Sequence, residues 1–396
     1  MPSYRPTHGR LAVAGLSALA LLALGACSTA SGGAGAAATS GAAGGSSGAP
    51  AGPITVTATD TECTLSATTA GAGTVTFRIT NQGTKVNEFY VYAAGDRIVA
   101  EVENVTPGLS RELKVEVTEP GTLTTACKPG MVGEGIRAPF TVTGTAAPGK
   151  TDEKVAAAIA AYTPYVGTQA DALVAKTTEF VAAVKAGNVA AAKALYPQAR
   201  LPWERIEPVA ASFGDLDPKI DGREDVTSEG MAFTGYHRLE KDLWVDGLKA
   251  DSAAIADQLL ADVTTVAAEA RKVQLTGLSL ASGAKALLDE VATGKVTGEE
   301  ERYSHTDLWD FQGNVEGSAA ALEALKPVIQ ARKPALQTTL DSTYRALWTA
   351  LTTHRDATGA FVAYTALTPV QVKTLSVALD AFSEQVAQVP GVVEQP

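Results

Sequence analysis

The chain has 396 residues, with 32 Lys and Arg against 43 Asp and Glu, a net charge of −11 and a pI near 5.0. That balance argues against a nucleic-acid surface, which needs a basic patch, and is compatible with a protein that handles cations. From residue 53 onward about 340 residues remain, enough for two domains that each bury a core.

The amino terminus opens with a basic lead, Arg5, His8 and Arg10, followed by an apolar run from Leu11 to Gly25. The run is too short and too rich in Ala and Gly to stay as a spanning helix. It ends in Leu24-Gly25-Ala26-Cys27, which resembles the bacterial lipobox, where cleavage before the cysteine leaves Cys27 lipidated; the alternative is an ordinary secretory signal with a chance cysteine. Residues 1–26 are therefore expected to be a signal peptide and residues 27–52 a Gly/Ser/Ala tether with nothing large or charged to bury. Such a tether has a root-mean-square reach of about 30 Å. The expected location is extracytoplasmic, as a cell-membrane lipoprotein on the outer face of the cytoplasmic membrane or in the periplasm. No later segment has the roughly 18 unbroken apolar residues that a span requires.

Residues 53–145 are rich in Thr and Val and alternate with period two: Val75, Phe77 and Ile79, then Phe89 and Val91, then Leu113, Val115 and Val117. Turn signals in "NQGT", "TPGL" and "EPGT" separate them, so about seven short antiparallel strands in a Greek-key sandwich are expected. Residues 150–396 change texture to Ala and Leu at three- and four-residue spacing, as in "DALVAKTTEFVAAVKAG" and "DSAAIADQLLADVTTVAAEARKVQ". That predicts an all-α domain of antiparallel bundles.

In the helical part, "TGYHRLEKDLW" places His237 three residues before Glu240 at what reads as the start of a long helix, so that imidazole and carboxylate share one face. Upstream, "WERIEP" spaces Glu204 and Glu207 the same way near the end of a short helix stopped by Pro208. Asp221 lies between these motifs in a loop, and Glu300 and His305 precede the next helix. Bundles build metal sites from carboxylates and histidines projecting inward from facing helices. Oxygen ligands with one imidazole and no thiolate suit iron or manganese, and zinc less specifically. The competing reading is a structural ion-pair network, with Arg223 or Arg238 as partners of Glu204 and Glu207. A zinc peptidase would need a second histidine close to Glu240, and Lys241 follows instead. His354 is expected at the surface near a helix end.

"GYHRLEKDLW" resembles the Gly-x-His-x-x-Glu motif of the imelysin-like family. Together with "WERIEPVAASFGDLDPKIDGRED" and "GEERYSHTDLWDFQGNVEG" it is similar to the EfeO branch, the extracytoplasmic component of a bacterial iron-uptake system. The resemblance implies iron capture and delivery to a membrane permease, alongside a secreted haem peroxidase of the same system, with no catalysis of its own beyond possible help in oxidising ferrous iron. It implies metal ligands at His237, Glu240, Asp221 and Glu300, with Glu204 and Glu207 as further candidates. Trp203 stands where Tyr is expected.

The sandwich invites comparison with a cupredoxin, yet residues 53–145 contain no histidine. "ACKPGM" sets Cys127 and Met131 on a Pro-Gly turn much like the copper loop of that fold, and Glu88 stands where a first histidine is expected. In one reading Cys63 and Cys127 form a disulfide and the domain is a spacer. In the other, Cys63, Glu88, Cys127 and Met131 bind copper or iron, as the family resemblance implies. The second is preferred because Glu88 has no role in a simple disulfide. The rival functions are an imelysin-type envelope metallopeptidase and a copper-binding electron-transfer protein acting through the β domain.

Overall fold

Alternation of apolar and polar residues builds the first domain. In the computed structural model, which describes residues 52–93, 98–117, 120–144, 152–210, 216–229 and 231–395, nine strands form two sheets among those residues. The signal peptide, Cys27 and the tether to residue 51 lie outside the described residues. The strands are β1 Ile54–Ala58, β2 Cys63–Leu65, β3 Thr69–Gly71, β4 Gly73–Asn81, β5 Asn87–Tyr92, β6 Ile98–Val105, β7 Ser110–Val117, β8 Gly121–Pro129 and β9 Ile136–Thr143. One sheet has the order β2-β1-β4-β7 and the other β3-β9-β8-β5-β6.

The sequence expectation of about seven antiparallel strands falls short in two ways. Strands β2 and β3 have three residues each, too few to display a period. Two pairs, β1 with β4 and β3 with β9, run parallel. Val75, Phe77 and Ile79 point inward as expected, and the Phe77 ring lies 5.2 Å from Phe89 and 5.3 Å from Phe140. A disulfide joins Cys63 on β2 to Cys127 on β8 and so links the two sheets across this core.

The second domain is helical: α1 Glu153–Lys185, α2 Val189–Ala210, α3 Leu216–Asp221, α4 Gly235–Lys241, α5 Ser252–Ala270, α6 Gly277–Glu290, α7 Asp307–Arg332, α8 Pro334–Thr352, α9 Pro369–Val386 and α10 Val389–Val393. The long α1 serves two cores. Leu173, Phe180 and Val184 pack with α2 to α5, while Ala158, Tyr162 and Val166 pack with α6 to α10. Helix α2 is not the short helix expected from "WERIEP". It runs 22 residues to Ala210, because burial of Tyr196, Trp203 and Ile206 along one side outweighs its helix-breaking prolines.

Helix α4 is likewise shorter than expected. After seven residues it widens into a π turn, Asp242–Asp246, and Gly247 at φ +77° ends it. Close approach of α2 and α7 depends on Gly313, where a Cβ would collide with the Cβ of Glu204. Lys114 on β7 pairs with Glu394 just past α10, tying the sandwich to the helical domain. Among the described residues no helix is long and apolar enough to cross a membrane.

Candidate metal centre

Helix α4 begins at Gly235, whose φ of +74° is a left-handed backbone conformation that favours glycine. A Cβ there would strike the carbonyl oxygens of Lys219 and Ile220, so the glycine lets α4 start directly beneath the end of α3. That contact brings His237, one turn into α4, against Asp221, the last residue of α3. His237 Nε2 lies 3.6 Å from Asp221 Oδ1 and 3.5 Å from Glu300 Oε1. On the opposite side of the ring, Nδ1 is 3.1 Å from Glu240 Oε2.

The structure thus gathers four of the residues expected from the sequence: Asp221, His237, Glu240 and Glu300. Two sets of three ligand atoms each lie within 4.8 Å of one another, Asp221–His237–Glu300 and His237–Glu240–Glu301. They share the imidazole. Two ligands bound about 2.1 Å from one ion stand about 3.0–3.4 Å apart at tetrahedral or octahedral angles. The distances at Nε2 therefore need only a small contraction to close on a cation. His237 Nε2 is buried and has no hydrogen-bond partner, which in a folded protein calls for an explanation. A cation held between Nε2 and the two carboxylates supplies one.

Sequence reasoning missed the group at the centre of these acids. Arg200, on α2 and fully buried, pairs with Asp221, donates to Glu204 at 2.6 Å, and has Nε 2.6 Å from Glu301 and 3.1 Å from Asp310. Glu300 lies 3.5 Å from Arg200 and 3.0 Å from Arg223. The indole Nε1 of Trp203 donates to Asp221 Oδ2 at 3.1 Å. Buried charges survive only when paired in this way.

Glu204 and Glu207 belong to an adjoining cluster. Both converge on the buried ammonium of Lys295, at 3.1 and 3.6 Å, and Asn314 donates to each at 3.1 Å. Lys295 closes a second π turn, Val291–Lys295. Arg223 and Arg238, the partners considered from sequence, instead pair with Glu300 and Asp242. His305 is not drawn in: its carbonyl accepts from Tyr364 N at 2.8 Å, and its backbone has φ +58°. His354, expected at the surface, is 9% exposed, and burial lowers its pKa.

Electrostatics sharpen the division. Burial and the Arg200 charge push the His237 pKa down, but Glu240, Glu300 and Asp221 outweigh them and raise it to about 9. A cation at Nε2 must therefore compete with a proton. Burial favours the neutral form of Glu300, yet Lys295, His237 and Arg223 hold its carboxyl well below the usual range. Glu301 goes the other way: burial and the charge of Glu240 push it well above that range. Burial also lifts Asp310, on which Arg200 acts in the opposite sense.

In the sandwich the expected set of Cys63, Glu88 and Cys127 does not form. Cys63 and Cys127 are joined to each other, so neither is a thiolate ligand. Register adds a second obstacle. Cys127 pairs with Phe89 and shares its core-facing side, whereas Glu88 pairs with Lys128 and projects from the opposite face, where Tyr90 OH donates to it at 3.1 Å. In this structure, then, the two cysteines and Glu88 do not converge as one ligand set. Glu88 instead adds charge to Glu103 on β6, whose pKa burial and Glu88 raise to about 7. Glu103 in turn helps lift Glu290, at the end of α6, to about 7, behind burial as the main cause. Acids of the sandwich thus lie within electrostatic reach of the helical site.

Comparison with known proteins agrees with this architecture. The family described as Imelysin matches residues 158–389, and the Cupredoxin-like domain family matches residues 18–142. The "Iron uptake system component EfeO" of Escherichia coli O157:H7 is 37% identical over 349 residues, covering 86% of this chain and 91% of that protein. The protein of the same description from Shigella flexneri is 36% identical over the same span.

Proposed function

Because the chain belongs to the imelysin family, in its EfeO branch with an N-terminal cupredoxin-like domain, we propose that it captures extracytoplasmic iron at the Asp221–His237–Glu300 cluster and passes it to a membrane permease. The observation that carries this reading is the buried Nε2 of His237, which makes no hydrogen bond and lies 3.5–3.6 Å from two carboxylates. Hard carboxylate oxygens with one imidazole match ferric or ferrous iron. The Asp221 and Glu300 side chains keep 8% and 9% of their surface, so the cluster is nearly but not wholly closed, as a carrier that must release its cargo requires.

Lipidation at Cys27 and the tether would keep this site near the membrane, within reach of the permease and of a haem peroxidase of the same system. The sandwich is then a disulfide-braced module, and copper at Cys63 and Cys127 drops out of the account. The test is equilibrium titration of the metal-free protein with ferric citrate, comparing wild type with Asp221→Asn and Glu300→Gln. One tight site that either substitution abolishes is the expected result. Unchanged affinity in both variants would remove iron from this cluster.

A further inference from the structure

The two nitrogens of His237 meet different kinds of partner. At Nδ1, Glu240 Oε2 is a hydrogen-bond partner at 3.1 Å, and Glu240 itself is fully buried. The other oxygen, Oε1, accepts from the backbone N–H groups of Tyr303 at 2.9 Å and Ser304 at 2.7 Å. Those two donors belong to the main chain and cannot swing away. Glu301, the remaining acid on this side, is also engaged, with Oε1 2.6 Å from Arg200 Nε and 3.3 Å from Tyr196 OH, and Oε2 accepting from Ser304 Oγ at 2.9 Å.

At Nε2 the situation differs. Asp221 and Glu300 also have partners, but apart from the Trp203 indole these are guanidinium groups on long side chains, and the Arg223 side chain is 37% exposed. Arg223 can retract from Glu300 by rotating, which a backbone N–H does not, whereas Arg200 is fully buried and stays paired among its acids.

We propose that Glu240 is a positioning residue and not a metal ligand: its carboxylate fixes His237 Nδ1 as the donor, so that Nε2 presents its lone pair to the cation held by Asp221 and Glu300. The assignment rests on the iron-binding reading of this cluster and changes which atoms bind. It follows the general pattern in which a metal-bound imidazole gives its other N–H to a carboxylate. The i, i+3 spacing of His237 and Glu240 then serves orientation. The cation's oxygens come from two other segments of the chain.

A double-mutant cycle on the full chain tests this, with ferric citrate as the titrant: wild type, His237→Ala, Glu240→Gln, and both together. Glu240→Gln sets an amide NH2 against either Nδ1–H or the two backbone donors. Removing such an outer partner typically costs about 10–100-fold in metal affinity. That loss is expected in the wild-type background, with no further loss beyond about twofold once His237 is alanine. An equal loss in both backgrounds makes Glu240 an independent ligand and overturns the assignment.

The nitrogen-15 spectrum of His237 in zinc-loaded wild type gives a readout that a merely structural role would not move, and it decides alone if Glu240→Gln fails to fold. Zinc on Nε2 with Nδ1 protonated is expected; zinc on Nδ1 overturns the proposal. Asp221→Asn and Glu300→Gln serve as controls. Unchanged iron affinity in both would count against the binding site itself, whatever the cycle shows.

Discussion

Arg200 and Asp221 form an ion pair buried between α2 and α3, and the same guanidinium also holds Glu204, Glu301 and Asp310. Breaking one side of a buried pair typically costs about 3–5 kcal/mol, because the carboxylates left behind are neither paired nor hydrated. Arg200→Gln is therefore expected to lower the denaturant midpoint sharply. Iron should recover part of that loss, since it supplies positive charge to the same acids. Chemical unfolding with and without ferric citrate checks both points.

Gly235→Ala should separate His237 from Asp221. The new methyl meets the Lys219 and Ile220 carbonyls and occupies a backbone with φ +74°, a region that alone costs about 1–2 kcal/mol for a non-glycine residue. The expected result is a loss of iron affinity of about tenfold or more (about 1.4 kcal/mol), because moving His237 away from Asp221 takes one ligand out of reach of the cation. Gly235 is buried, so the backbone around it must yield locally, and circular dichroism checks that the helix content is kept.

The disulfide predicts a division of effects between domains. Cys63→Ser with Cys127→Ser removes a cross-link spanning 64 residues, a change that typically costs about 2–4 kcal/mol. The thermal transition of the sandwich should fall, while iron stoichiometry and affinity stay at wild-type values. Loss of iron from this double variant would return the metal to the β domain.

A pH dependence follows from Glu103. Burial and the charge of Glu88 raise its folded pKa to about 7. A carboxyl raised on folding contributes stability that is full below its unfolded pKa, about 4.3, and is lost as pH rises through 7. Glu103→Gln abolishes that loss, so its stability relative to wild type should climb between about pH 4.3 and 7 and level off above. Denaturant unfolding across that range measures the difference; a gap that does not change with pH contradicts it.

Much of the helical site was legible in the sequence because its ligands come in spaced motifs. His237 and Glu240 share a helix face, and Asp221 and Glu300 stand in polar segments beside helix ends. Arg200 was not legible, since an arginine in an Ala-rich helix reads as a solvated residue. Its spacing from Tyr196 and Glu204, four residues to either side on one face with Trp203 nearby, was the available signal. Glu301 and Asp310 were hidden for the same reason: their burial is a tertiary fact. In the sandwich the face that Glu88 occupies was legible. The alternation that sends Phe89 and Val91 into the core sends Glu88 out of it, and strand parity separates it from Cys127. The disulfide itself was one of two open readings, because cysteine spacing does not report distance across two sheets.

The most direct test of the central claim is an anomalous-diffraction map of crystals of the iron-loaded full chain, recorded at the iron edge. The account predicts one strong peak about 2.1 Å from His237 Nε2, with carboxylate oxygens of Asp221 and Glu300 completing the protein ligands and Glu240 still hydrogen-bonded to Nδ1. A peak between Glu204 and Glu207 in place of Lys295, or one in the sandwich with none at His237, would contradict it.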